Sequence, residues 1–188
     1  VVITTKQALR QSIQKFINQQ KEEEASHCGR VILDKFLALP VFEKAGVILF
    51  YASMKGEVDT FAMITRALEL KKRVVLPLVQ KEIKAIIPLE IKALSELRKG
   101  SYGIDEPCFS PDRVVNTDEI DLVVVPAVAF DAKNNRLGRG AGYYDRFLAE
   151  LPATTPTVGL AFSFQVVPLI PGIEAHDRPV SMVITDRP

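Results

Sequence analysis

The stretch Asp121-Leu-Val-Val-Val-Pro-Ala-Val-Ala-Phe130, read with Arg136-Leu-Gly-Arg-Gly-Ala-Gly-Tyr-Tyr-Asp-Arg146 just after it, decides the fold. The first segment is a short apolar run rich in β-branched residues and bounded by Asp121 and Asp131, so it reads as a buried strand over 121–129. After the glycines, Tyr144, Phe147, Leu148 and Leu151 fall at helical spacing, predicting a helix over 143–151. In the order strand, glycine-rich loop, helix, the loop amides and the positive end of the helix dipole face one point in space, which suits an anion. No Gly-Lys-Ser/Thr closes this loop as a Walker motif would, and the third glycine of a dinucleotide fingerprint would fall at Tyr143. Arg136 and Arg139 exceed what a plain turn needs, so the anion that fits best is a polyphosphate.

Working outward, apolar strands alternate with helices. Strands are expected over 46–52, 73–79, 83–89, 157–162 and 181–185, with a helix over 59–71 between the first two. Residues 99–116 read as irregular. This alternation predicts an α/β fold, a three-layer α/β/α arrangement with a mostly parallel central sheet, Rossmann-like in outline. Ligands of such sheets bind beyond the carboxyl ends of the strands, which singles out loops 53–60, 131–142 and 163–177.

The amino-terminal region predicts a helix from Thr4 or Thr5 to about Glu24, its apolar stripe formed by Leu9, Ile13, Phe16 and Ile17, and a second helix over 23–39 ended by Pro40. Lys6 and Arg10 fall on that apolar stripe. Cations there either snorkel outward or meet a negative partner, and they oppose the helix dipole; a phosphate between them would resolve the conflict.

The 188 residues suffice for one domain, 1–188, with a sizeable core. Hydrophobic residues at 47% and charged residues at 25% are ordinary for a globular chain and exclude disorder as the main state. A formal net charge of +1 supplies no global field for nucleic acid or an acidic membrane, so neither is an expected partner. The longest apolar runs are too short to span a membrane and the first residues lack a signal-peptide pattern, which places the expected location in the cytoplasm. Cys28 and Cys108 show neither a CxxC pair nor a histidine at metal spacing.

Asp145, one turn into the helix after the glycines, either caps exposed amides or holds Mg²⁺ beside bound phosphates, with Asp177 as a possible second carboxylate. Tyr143 and Tyr144 sit where a flat ligand could stack, although one is expected to face inward. Glu57 and Asp59 could accept hydrogen bonds from an N–H-rich heterocycle, and Asp59 could equally cap a helix. His27 and His176 are solitary. No Ser-His-Asp or Cys-His grouping offers a covalent nucleophile.

These residues resemble the 5-formyltetrahydrofolate cyclo-ligase family, also called 5,10-methenyltetrahydrofolate synthetases. The resemblance runs through Lys6-Gln-Ala-Leu-Arg10, Tyr51-Ala-Ser-Met54, Glu57-Val-Asp-Thr60, Lys72-Arg-Val-Val-Leu-Pro77, Gly103-Ile-Asp-Glu-Pro107, Val125-Pro-Ala-Val-Ala-Phe-Asp131, the glycine motif and His176-Asp177. It implies an ATP- and Mg²⁺-dependent ring closure of 5-formyltetrahydrofolate, with ADP and phosphate released. Lys6, Arg10 and Arg136, Leu137, Gly138, Arg139, Gly140, Ala141, Gly142, Tyr143 and Tyr144 would hold ATP. Met54, Glu57, Asp59 and the run from Arg139 to Tyr143 would contact the folate. Asp145 and Asp177 would bind Mg²⁺, while Arg139, Lys6 and Tyr143 would serve catalysis, Arg139 by offsetting charge on the transferring phosphoryl group. Arg139 stands where many relatives carry an aromatic residue. The implied partner is the small molecule alone, with the chain acting as a monomer. Two other readings use the same fold: a sugar-phosphate isomerase or CoA-transferase-like enzyme, which would need a base or carboxylate nucleophile near the loop, and a nucleotide-binding module without turnover.

Overall fold

Three consecutive residues show how the interior is built. Val47 and Leu49 enter one apolar cluster, with Val75, Val123, Val125 and Phe147, whereas Ile48 enters another, with Phe36, Phe50, Met63 and Ile64. Successive side chains of a strand point to opposite faces, so this strand is buried on both.

The computed structural model describes residues 4–187. Its elements in chain order are α1 (Lys6–Gln19), α2 (Glu22–Leu37), α3 (Pro40–Lys44), β1 (Val47–Leu49), α4 (Phe61–Glu69), β2 (Arg73–Gln80), β3 (Ala85–Ile91), β4 (Leu97–Lys99), β5 (Asp105–Pro107), β6 (Leu122–Val125), β7 (Ala129–Asp131), β8 (Arg136–Leu137), α5 (Tyr143–Glu150), β9 (Thr157–Ala161), β10 (Val166–Val167) and β11 (Met182–Thr185), with short 3₁₀ turns between some of them. The main sheet has the order β11-β9-β6-β1-β2-β3. Every pairing in it is parallel except β2 with β3, an antiparallel hairpin at the edge. Residues of α2, α3 and α4 fill one face and Phe147 of α5 the other, giving the expected three layers.

Two departures from the sequence reading matter for the site. The apolar run 121–129 is not one strand. It breaks at Pro126, whose missing N–H cannot continue the ladder, so β6 stays in the main sheet while β7 joins β8 and β10 in a separate three-stranded sheet. Apolar character records burial but not which sheet does the burying. A further antiparallel pair, β4 with β5, places β5 inside the stretch read as irregular.

The first helix also ends earlier than expected, at Gln19, and α2 begins at Glu22 with Glu22, Glu23 and Glu24 in its first turn. Three acids suit the positive start of a helix better than the end of one. Similarly, Pro40 opens the short α3 rather than only closing α2. Helix α1 packs Leu9 and Ile13 against Ala129 and Leu137 of the small sheet, not against the main one. Phe16 is more than half exposed and leaves the buried stripe to meet Phe164, ring centroids 6.1 Å apart. No helix among the described residues is long and apolar enough to cross a membrane.

Candidate active site

Packing α1 on β7 and β8 carries Lys6 and Arg10 to the glycine loop. Thr5 starts that helix by accepting a hydrogen bond from the Ala8 amide at 3.1 Å. Arg10 then donates from Nε to the Gly138 carbonyl at 2.8 Å. Lys6 Nζ meets Asp177 Oδ2 at 2.6 Å, so one cation of the apolar stripe finds a carboxylate and the other a backbone carbonyl. Burial alone would raise the Asp177 carboxyl, but the hydrogen bonds from Lys6 and the Glu174 amide outweigh it and hold it below the ordinary aspartate value.

Between β8 and α5 the chain must turn sharply while exposing its amides. Gly140 and Gly142 have φ of 109° and 71°, conformations L-residues with side chains rarely adopt, and Gly142 leads directly into α5. Arg146 clamps the loop from within the helix, donating from Nη2 to the Ala141 carbonyl and from Nε to the Lys84 carbonyl, each at 2.8 Å. Beneath the loop, Arg136 is buried, with Nη2 2.6 Å from Asp145 Oδ1 and its guanidinium over the Tyr144 ring. Its Nε has no partner among the described residues, and neither has the buried Tyr144 hydroxyl, which burial pushes well above the ordinary tyrosine value.

The loop forms part of a cavity of about 610 Å³. Tyr51 and Ala52 after β1, and Pro126 and Ala127 after β6, line it, so it lies at the carboxyl ends of parallel strands as the fold rule requires. Of the residues singled out in the sequence, Lys6, Arg10, Met54, Glu57, the whole run Arg136–Asp145 and Asp177 all border this space. Asp59 does not. Its Oδ1 accepts the Phe61 amide at 2.9 Å and the Ser53 hydroxyl at 3.3 Å, so it ties the turn that leads into α4, whose N-cap is Thr60.

Glu57 is committed at both oxygens, Oε1 to Arg139 Nη2 at 2.8 Å and Oε2 to the Met54 amide at 3.0 Å. The Arg139 side chain is 56% exposed, so this ion pair is open to exchange for a ligand anion. Tyr143 keeps its hydroxyl at the surface, 3.3 Å from that of Tyr102, with the rings edge to face. Asp145 and Asp177 each give one oxygen to a cation, and the other accepts no side-chain or backbone hydrogen bond among the described residues. That donor set fits Mg²⁺, which takes one or two carboxylates and completes its shell with phosphate oxygens and water.

The rest of the lining was not legible in advance. Pro77 and Val79 of β2, Ile86 of β3, Tyr102, Ile104 and Glu106 complete it, Tyr102 meeting Tyr143 at the start of α5. The segment Gly103-Ile-Asp-Glu-Pro107 stood out in the sequence, but nothing in its spacing shows that β5 packs against the β2 and β3 hairpin.

Fold and cavity together define the class: a three-layer α/β protein that gathers backbone amides and cations at the carboxyl edge of its sheet, beside an apolar wall. Residues 2–186 match the 5-formyltetrahydrofolate cyclo-ligase family, and the chain belongs to it as an enzyme of that kind. The Escherichia coli (strain K12) 5-formyltetrahydrofolate cyclo-ligase is 30% identical over 165 residues, 87% of this chain and 90% of the relative. A probable 5-formyltetrahydrofolate cyclo-ligase of Caenorhabditis elegans is 30% identical over 88% of this chain and 85% of its own length. The NMR structure of an Aquifex aeolicus 5,10-methenyltetrahydrofolate synthetase superposes with a TM-score of 0.85 at 33% identity, covering 97% of this chain and 90% of that one.

Proposed function

We propose that the protein converts 5-formyltetrahydrofolate to 5,10-methenyltetrahydrofolate, consuming ATP and releasing ADP and phosphate. The observation that carries the reading is the meeting of α1 with the glycine loop, where Arg10 reaches Gly138 across 128 residues and places two cations beside exposed loop amides. Paired cations and a helix start make a polyphosphate site, and the adjoining apolar wall leaves room for a flat second substrate.

In this reading the formyl oxygen attacks the γ-phosphate, N10 attacks the activated formyl carbon, and phosphate leaves as the ring closes. The protein's work is alignment and charge stabilisation, consistent with the lack of a nucleophilic grouping. Lys6 and Arg10 hold phosphates from the helix side, and the amides of 138–142 hold them from the loop side. Arg139 exchanges Glu57 for the transferring phosphoryl group, whose growing charge its guanidinium offsets. Asp145 and Asp177 would hold Mg²⁺, which neutralises phosphate charge when bound. Tyr143 and Met54 border the folate, and Glu57 is freed toward it when Arg139 turns. The reading is of a cytoplasmic small-molecule enzyme acting as a monomer.

The test is an absorbance assay. Protein mixed with 5-formyltetrahydrofolate, Mg²⁺ and ATP should show an ATP-dependent near-ultraviolet rise from the methenyl product. No such rise would overturn the proposal.

A further inference from the structure

The hairpin that joins β4 to β5 turns through Ser101-Tyr102-Gly103-Ile104, closed by the Ile104 amide donating to the Ser101 carbonyl at 3.1 Å. Tyr102 and Gly103 both lie in the left-handed region, with φ of 58° and 74°, the geometry of a two-residue turn that favours Asn, Asp or Gly at its first central position. A tyrosine there is strained, and strain of this kind collects where a side chain serves a site. Burial gives no other reason for it, since Tyr102 is 61% exposed. The turn instead carries the ring into the lining of the cavity, where it meets Tyr143 edge to face with centroids 6.4 Å apart.

Charge marks the same place. Lys81 Nζ stands 4.8 Å from the centre of the Tyr102 ring, and the Arg146 guanidinium 5.7 Å from that of Tyr143. Lys81 is exposed, and its charge is felt at the Glu106 carboxyl without an ion pair forming among the described residues. The ammonium and the Tyr143 edge occupy part of the Tyr102 ring, and its exposure leaves the rest free. An open aromatic surface with an ammonium beside it suits a ligand that carries an aryl ring and a carboxylate close together. In a folate that feature is the p-aminobenzoyl ring with its glutamate. The pterin has no carboxylate, and the phosphates of ATP belong with Lys6 and Arg10 at the glycine loop.

We infer that Tyr102 and Lys81 form the subsite for the p-aminobenzoylglutamate end of the folate, Tyr102 packing on the benzoyl ring and Lys81 pairing with the α-carboxylate. This rests on the folate reading above. N10 is bonded to that ring, so the subsite also sets where N10 stands for ring closure.

The experiment measures folate KM, ATP KM and thermal melting for wild type, Tyr102→Asn and Lys81→Ala. Asn suits the turn better than Tyr, so Tyr102→Asn should melt no lower than wild type while folate KM rises about tenfold and ATP KM stays within about twofold. Lys81→Ala should raise folate KM about threefold and remove most of its rise between about 0.05 and 0.5 M NaCl, because the screened pair is gone. Unaltered folate KM in Tyr102→Asn, or a rise confined to ATP KM, would overturn the inference and leave the folate reading standing. So would wild-type folate KM and salt dependence in Lys81→Ala. A lower melting temperature in Tyr102→Asn with both KM values raised would show a structural role and overturn the inference as well. Wild type that neither turns over nor binds 5-formyltetrahydrofolate in an equilibrium titration would overturn both.

Discussion

Asp131 and Glu106 are both buried carboxylates on short strands outside the main sheet, at 2% and 6% exposure, yet their surroundings are opposite. Asp131 accepts four hydrogen bonds: the Lys133 and Asn135 amides on Oδ1, and the Asn135 side chain and the Ile170 amide on Oδ2. Burial alone would raise its carboxyl, but these donors outweigh it and hold it below the ordinary aspartate value. At Glu106 burial prevails and the carboxyl is raised. The number of donors already supplied by the chain decides which way burial moves the carboxyl. Asp131 ties the turn between β7 and β8, and so sets where the glycine loop begins. Glu106 ties nothing on its Oε1.

The largest effect should fall on the structural side of this contrast. Asp131→Ala leaves three backbone amides without their acceptor and should cost about 3 kcal/mol, a fall in melting temperature of roughly 6–12 °C. A fall below about 2 °C would erase the distinction. Next, in the proposed function the exposed Arg139 meets the transferring phosphoryl group, so Arg139→Ala should lower turnover roughly 10²-fold with an unchanged melting temperature. Unchanged turnover would remove it from the site.

Titration sharpens the pair with opposite signs. The stability that charged Asp131 contributes is present above the ordinary aspartate value and lost as pH falls through its depressed folded value. Wild type should therefore lose its advantage over Asp131→Asn in that acid range. Glu106 behaves the other way: its favourable contribution is full below the ordinary glutamate value and is lost as pH rises through the raised folded value. Glu106→Gln should thus gain on wild type as pH rises through the window just above the ordinary glutamate value, measured by urea unfolding at a series of pH values. Parallel pH trends in the two variants would break the contrast. The smallest effect belongs to Asp59, outside the cavity. Asp59→Ala should cost about 1 kcal/mol of stability by removing the acceptor of the Phe61 amide and leave folate KM unaltered; a raised KM would return it to the site.

Much of the site is written in local pattern. The glycine motif and the helix after it announce an anion cradle, and Lys6 and Arg10 announce themselves as cations where an amphipathic helix should be apolar. Both signals depend on residues within one or two turns of each other. The break at Pro126 was present in the sequence, but an apolar run on either side of a proline reads the same whether the chain stays in one sheet or crosses to another. Asp59 offered a cap and a ligand contact with equal force, and the fold gave it neither, setting it in the turn before α4 with Thr60 at the cap and Asp59 outside the cavity lining.

What the sequence alone determined is therefore the layer order, the glycine loop between strand and helix, and the residue types that could meet phosphate. These follow from backbone sterics, helix dipoles and side-chain period, which act over short stretches of chain. Only the tertiary structure decided partners: Lys6 with Asp177 across 171 residues, Arg139 with Glu57 across 82, and Glu106 with no donor on its buried oxygen. Such pairings arise where separate elements pack, and a carboxylate's surroundings are known only when every donor around it has been placed.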